Sequence, residues 1–179
     1  MENLPRISQM AISTYTVNLL FPVVLAIHNA DEFLRYEQFI QVYHSRIAPR
    51  FVTRKSIGYA ALLITIAATV LSVFTWLYEN AILMKMSAIA VFALLLNAAG
   101  HVIMSIRRGS LTPGTFTAIT LVIPYSLAMI FLLHADLGMS WTTMANLAAL
   151  GLLAAPLAIV TFIFLGYLMS YAVNAQGPR

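Results

Sequence analysis

SIGYAALLITIAATVLSVFTWLY, residues Ser56–Tyr78, runs without one charged side chain. A helix crossing the hydrocarbon of a bilayer needs about 20 mainly apolar residues, and this stretch supplies them. Lipid satisfies no backbone N–H or C=O, so a spanning segment is either a helix or part of a closed barrel. Apolar and polar residues do not alternate along it, so it reads as a helix. Four more charge-free stretches surround it: Ile7–Ala30, Met86–Ile106, Gly109–Ala135 and Leu137–Pro178. Spans are therefore expected near residues 10–30, 58–78, 85–106, 115–134 and 146–173. The last stretch is long enough for two spans but has no turn cluster at its middle. Pro156 alone predicts a kink in one long, tilted helix.

The whole composition agrees with that reading. Of 179 residues, 61% are hydrophobic and 9% charged, whereas a soluble domain carries about 25% charged residues. Disorder and collagen are excluded by the same figures. The net charge of +4 comes from only ten Lys and Arg residues without a dense patch, so the expected partner is a lipid bilayer and not nucleic acid. Cysteine is absent, which removes disulfides, zinc–thiolate sites and cysteine nucleophiles. Glu2 beside Arg6 does not make a basic n-region, and Asn18 and Pro22 interrupt the first apolar stretch, so a secretory signal peptide is not expected. The expectation is an all-α, polytopic membrane protein, a single domain over residues 1–179 with no internal repeat.

Basic residues set the orientation, because cytoplasmic loops retain them. Arg35, Arg46, Arg50, Arg54 and Lys55 fall in the first loop, Arg107 and Arg108 in the third, and Arg179 in the tail, leaving Arg6 and Lys85 on the other side. Eight against two places the N-terminus outside and the C-terminus in the cytoplasm. In the first loop Phe33, Tyr36, Ile40, Tyr43 and Ile47 recur at helical spacing, with Arg35, Glu37, Gln38, Gln41 and Arg46 between them. Residues 32–47 thus read as an amphipathic interfacial segment, either an anchor or a lid over a site at that face.

The unusual polar residues gather on the same side. His28, Asp31 and Glu32 lie at the end of the first helix, where spacings of three and four put both carboxylates on the face of His28. His101 lies six residues before Arg107, about 9 Å below the boundary at the helical rise. Asn97 is one turn deeper on the same face, and Gly100 beside them suggests the close approach of another helix. Leu111-Thr112-Pro113-Gly114 makes a tight turn into the fourth helix.

These groups resemble the motifs of the HXXEE family of bacterial integral membrane proteins. That family carries His-x-x-Glu-Glu, then Asn-x-x-x-His, then Tyr-x-Pro-Gly. This chain has His28-Asn29-Ala30-Asp31-Glu32, Asn97-Ala98-Ala99-Gly100-His101 and Leu111-Thr112-Pro113-Gly114 in that order. Asp31 stands for the first Glu and Leu111 for the Tyr. The resemblance implies a bacterial inner-membrane protein and marks these residues without naming a reaction.

Three readings follow from the residues. His28, His101 and Glu32 supply two imidazoles and a carboxylate, the ligand set of an open site for a divalent metal such as zinc or iron. Asp31 would be an auxiliary acid there, and Asn97 would orient His101 or a ligand. Alternatively, the same five residues perform metal-free acid/base catalysis on a small lipid-soluble substrate. A third reading is non-catalytic binding, transport or assembly, with the polar residues serving as interhelical hydrogen bonds. Pro22, Pro124 and Pro156 interrupt three spans, but the missing repeat speaks against a transporter. Tyr167, Ser170, Tyr171 and Asn174 are weaker candidates for the same cavity, Asn18 and Tyr125 for a deeper pocket. His134 and Asp136 read as the end of the fourth helix.

Overall fold

A computed structural model describes residues 13–43 and 51–175. Residues 10–12 of the expected first span, Arg46 and Ile47 of the amphipathic segment, and the basic residues Arg6, Arg50 and Arg179 lie outside the described residues. All regular structure among the described residues is helical. Five stretches are long and apolar enough to cross a membrane: Thr14–Leu34, Arg54–Tyr78, Ala81–Arg108, Thr115–Ala135 and Trp141–Val173.

The first span is broken into α1 (Thr14–Asn18) and α2 (Phe21–Leu34). Leu19 and Leu20 donate to Thr16 O and Val17 O, three residues back. Pro22 has no N–H to give the carbonyl of Asn18, and its fixed φ suits the first turn of the new helix. After α2 the chain turns at Arg35 and makes the short helix α3 (Tyr36–Tyr43), so the amphipathic segment is helical on both sides of that turn.

The second span, α4 (Arg54–Tyr78), opens on a capping box between Thr53 and Ser56. Glu79, at φ 43°, turns the chain, and Asn80 Oδ1 accepts from the N–H groups of Ile82 and Leu83 to start α5 (Ala81–Arg108). Gly109, at φ 65°, ends it. The fourth span enters through α6 (Thr115–Thr117), widens into a π turn over Ala118–Val122, and continues as α7 (Ile123–Ala135). Pro124 lacks the N–H that Thr120 O would accept, and its ring crowds that carbonyl. The wider turn accommodates both.

The fifth span, α8 (Trp141–Ala175), is continuous through Pro156. Its 35 residues measure about 52 Å at the helical rise, well beyond the roughly 30 Å of hydrocarbon. The final charge-free stretch therefore holds one long span and not two.

Phe21, Val24, Leu25, Ala68, Val91, Leu94, Ala98 and Met129 form the main core among the first four spans. α8 lies against α4 and α5 from outside. Small residues set those contacts: a Cβ on Gly166 would meet the backbone of Ser56 and Ala60, and one on Gly151 would meet Phe92 Cβ at 2.9 Å. Leu153, Leu157 and Phe164 on the outer side of α8 are exposed, the expected face for lipid.

Asn18 and Tyr125 pair with neighbouring helices. Asn18 Nδ2 donates to Ser87 Oγ at 3.3 Å, Ser87 lies 3.2 Å from Thr75 Oγ1, and Tyr125 stacks on Phe21 with ring centroids 6.4 Å apart. Asp136 Oδ2 accepts from the backbone N–H and the hydroxyl of Thr14 at 3.0 and 2.6 Å. It therefore ties the start of the first span to the end of the fourth. Those two bonds, the hydroxyl first, hold the Asp136 carboxyl below its ordinary pKa.

The consequence for the site is one of level. α2 and α5 finish, and α4 and the fourth span begin, at the same end of the bundle. Arg35, Arg54, Arg107 and Arg108 mark that end.

Candidate metal centre

Helical geometry makes the first half of the site. His28 and Glu32 are four residues apart on α2, so they share a face, and His28 Nε2 lies 3.5 Å from Glu32 Oε1. α5 repeats the spacing with Asn97 and His101, whose Nδ2 and Nε2 are 3.3 Å apart. Packing then joins the two pairs. His101 Nε2 comes to 2.6 Å from Glu32 Oε1, and Asn97 Nδ2 lies 3.1 Å from His28 Nε2. The two imidazoles meet edge to face, 5.1 Å between centroids and 80° between planes. One ligand atom from each of His28, Glu32 and His101 falls within 4.8 Å of the others. Relative exposure is 0% for the His28 side chain, 4% for His101 and 18% for Glu32, so the carboxylate is the member nearest the surface.

A second layer comes from the turn into the fourth span. Thr117 Oγ1 lies 2.9 Å from His28 Nδ1 and 3.1 Å from both Asp31 Oδ2 and Gly114 O. Asp31 Oδ1 pairs with Arg35 Nε at 3.1 Å. Asp31 thus faces Thr117 and Arg35, one layer behind the three ligand atoms. Ser105 Oγ is 2.6 Å from Thr115 Oγ1 and 2.9 Å from Thr112 Oγ1. The two threonine hydroxyls also donate to His101 O, at 3.3 and 3.4 Å. This network fastens the turn to the last part of α5.

Gly114 explains why the turn needs its glycine. Its φ is +81°, and a Cβ there would lie 2.9 to 3.1 Å from the Cε1, Nδ1 and Nε2 atoms of His101. The backbone of the turn therefore lies directly against the imidazole. Gly100, expected to admit a neighbouring helix, does not: it is exposed, and nothing lies within 4 Å of the Cβ position. Close approach to the site is made at Gly114 instead. Leu111 is 67% exposed, whereas Thr112 and Pro113 after it are buried.

Of the five residues expected at the site, the structure gathers His28, Glu32 and His101 with Asn97 between the imidazoles, and sets Asp31 behind them. Tyr167 meets Phe51 ring to edge at 6.5 Å, Ser170 Oγ donates to Tyr167 O, and Tyr171 is 67% exposed. The Asn174 side chain lies outside the described residues. Thr117 was not expected. Its one signal in the sequence is a hydroxyl three residues after Gly114, one helical turn into the span. Beside the Asp31–Arg35 pair a shallow cavity of about 250 Å³ is lined by Leu34, Arg35, Tyr36, Glu37, Gln38 and Arg54.

Chemically, two imidazole nitrogens and a carboxylate oxygen converge without a fourth protein ligand being required, so a coordinated ion would keep open positions. The imidazole and carboxylate at 2.6 Å must share a proton or an ion, since two bare lone pairs would repel at that distance. A family model described as a protein of unknown function with HXXEE motif matches residues 19–129, the stretch that holds all three motifs. No curated protein and no solved structure matches the chain.

Proposed function

The chain belongs to the HXXEE family, whose function is unknown, and from its site we propose that it is a metal-dependent membrane enzyme acting on a lipid-soluble substrate at the cytoplasmic face. The observation that carries this reading is the convergence of one ligand atom each from His28, Glu32 and His101 within 4.8 Å. Bonds of about 2.0–2.1 Å at tetrahedral angles set ligand atoms about 3.3–3.4 Å apart. The His28–Glu32 separation of 3.5 Å fits this. The His101–Glu32 pair at 2.6 Å would open by about 0.7 Å as an ion replaces the proton between them.

A divalent ion at this place supplies Lewis acidity toward a substrate oxygen. The chain's own groups do the rest. Asn97 Nδ2 reaches both Nε2 atoms, at 3.1 and 3.3 Å, and would give up those contacts when the lone pairs turn to an ion. Gly114 and the Ser105–Thr112–Thr115 network hold the His101 ring and its backbone. Glu32, partly exposed, marks the side from which a substrate arrives. A charged Asp, Lys or Arg at the centre of a span costs about 2.5–3.5 kcal/mol on insertion scales; the cost is smaller near a helix end, and coordination would offset it. The cytoplasmic placement rests on the excess of basic residues at the site's end of the bundle, and a bacterial inner membrane on the family resemblance alone.

A second reading, metal-free acid/base catalysis by His101 and Glu32, is favoured by their 2.6 Å contact, short enough for a charge-assisted hydrogen bond. Elemental analysis separates the two. The wild type purified with zinc in the medium should hold close to one equivalent, and His101→Ala should hold almost none. Equal metal in both, or none in either, rejects coordination by this trio.

A further inference from the structure

The proton on His28 can be placed by counting hydrogens. Thr117 has one hydroxyl hydrogen and three neighbours: Asp31 Oδ2 at 3.1 Å, Gly114 O at 3.1 Å and His28 Nδ1 at 2.9 Å. A backbone carbonyl only accepts, and so does an ionised carboxylate. Asp31 Oδ2 accepts from the hydroxyl, while Arg35 Nε lies 3.1 Å from the other carboxyl oxygen. Were the hydroxyl to donate to His28, its oxygen would face two acceptor oxygens with no hydrogen between them. The hydroxyl therefore donates toward Asp31 and Gly114 O, and it accepts from His28 Nδ1–H.

The other side of the ring agrees. A neutral imidazole protonated at Nδ1 has a bare lone pair at Nε2. Asn97 Nδ2, a donor, lies 3.1 Å from that atom. Both neighbours of the ring thus assign the same tautomer, and Nε2 is the atom turned toward Glu32 and His101.

We propose that Thr117 is the positioning residue of the site: with Asp31 and Arg35 behind it, it fixes His28 in the Nδ1–H tautomer and so presents the Nε2 lone pair for coordination. This assigns Asp31 a role other than ligand. Its carboxylate orients a histidine through a hydroxyl, in the way that carboxylates and carbonyls orient metal-bound histidines directly. The chain of contacts Arg35–Asp31–Thr117–His28 links two spans, α2 and the start of the fourth, so the tautomer depends on their packing. It also connects the buried imidazole to the arginine that lines the shallow cavity at the surface.

The coordination half of this inference rests on the metal reading above, but the tautomer half does not. Both are read on full-length protein with ¹⁵N-labelled histidine and with cobalt(II) as the metal probe. In the absence of metal, the nitrogen shifts of His28, assigned by comparison with His28→Gln, should report the Nδ1–H form. Thr117→Val, nearly isosteric, should give mixed tautomers and weaken cobalt binding 10- to 100-fold, the range for loss of an orienting partner. Thr117→Ser keeps the hydroxyl and should restore both, which a purely structural role for the side chain would not produce. An Nε2–H signature in the wild type overturns the proposal, as does Thr117→Val with unchanged tautomer and cobalt affinity. If the wild type shows the expected tautomer but binds no cobalt, the metal reading fails and the positioning role of Thr117 stands.

Discussion

Replacing Gly114 by alanine tests the packing of the site apart from its chemistry. Two costs are expected. A residue with a Cβ in the left-handed region is disfavoured by about 1–2 kcal/mol, and Gly114 sits at φ +81°. The new Cβ would also lie 2.9 to 3.1 Å from three atoms of the His101 ring. That ring is 4% exposed and held by Glu32 at 2.6 Å, so it has little room to retreat, and overpacking of this kind costs about 1–3 kcal/mol. The sum is roughly 2–5 kcal/mol.

Gly109→Ala is the matched control. Gly109 has φ +65° but nothing within 4 Å of its Cβ position, so only the backbone cost of about 1–2 kcal/mol applies. Equilibrium unfolding of both variants in the same detergent measures the difference. Ring resonances of His101 show where it arises, and they should shift only in Gly114→Ala. Equal destabilisation by the two variants, with His101 unmoved in both, would refute the close contact between the turn and the imidazole.

Three further outcomes are expected. The Asp136 carboxyl is held below its ordinary pKa by two bonds from Thr14, so its contribution to stability is complete above the ordinary carboxylate range. It is lost as pH falls through the lowered value; thermal midpoints of the wild type should therefore fall more steeply than those of Asp136→Asn on acidification, and parallel curves would contradict this. Gly166→Val should destabilise the protein by driving a side chain into the backbone of Ser56 and Ala60, whereas Gly100→Ala, with open space around it, should gain about 0.5–1 kcal/mol from helix propensity; unfolding curves that reversed this order would reject the packing of α8 on α4. Because the chain has no cysteine, single cysteines report sidedness cleanly: a membrane-impermeant thiol reagent on intact spheroplasts should label Ala81→Cys and spare Ser110→Cys, and the opposite pattern would invert the proposed orientation.

The five spans were legible because charge is so scarce that its positions delimit the helices. The pairs His28/Glu32 and Asn97/His101 were legible for a related reason: residues four apart share a helical face, whatever the tertiary structure. The meeting of the two pairs rested on order and depth along the chain, since no local rule fixes which helices become neighbours. Thr117 and Asp31 show the limit. A threonine at the start of a span has many uses, and its contact with a histidine 89 residues away exists only in the folded bundle. Asp31 was grouped with Glu32 because spacings of three and four put both near the face of His28, yet the two side chains point about 100° apart, and that rotation turns Asp31 toward Thr117. Gly100 misled by the same logic. A small residue beside the site suggested close packing, but it faces away, and the closely packed glycine belongs to the turn. The break at Leu19–Leu20 follows from Pro22, which marks an interruption without saying whether it kinks or divides the helix.

X-ray absorption at the zinc edge of metal-loaded protein reads the coordination by His28, Glu32 and His101 itself. The wild-type spectrum should show two imidazole nitrogens and at least one oxygen at about 2.0–2.2 Å, and this signal should all but disappear in His28→Ala and in His101→Ala as bound zinc is lost. A spectrum without imidazole scattering, or one that neither substitution changes, would show that His28, Glu32 and His101 do not hold the metal.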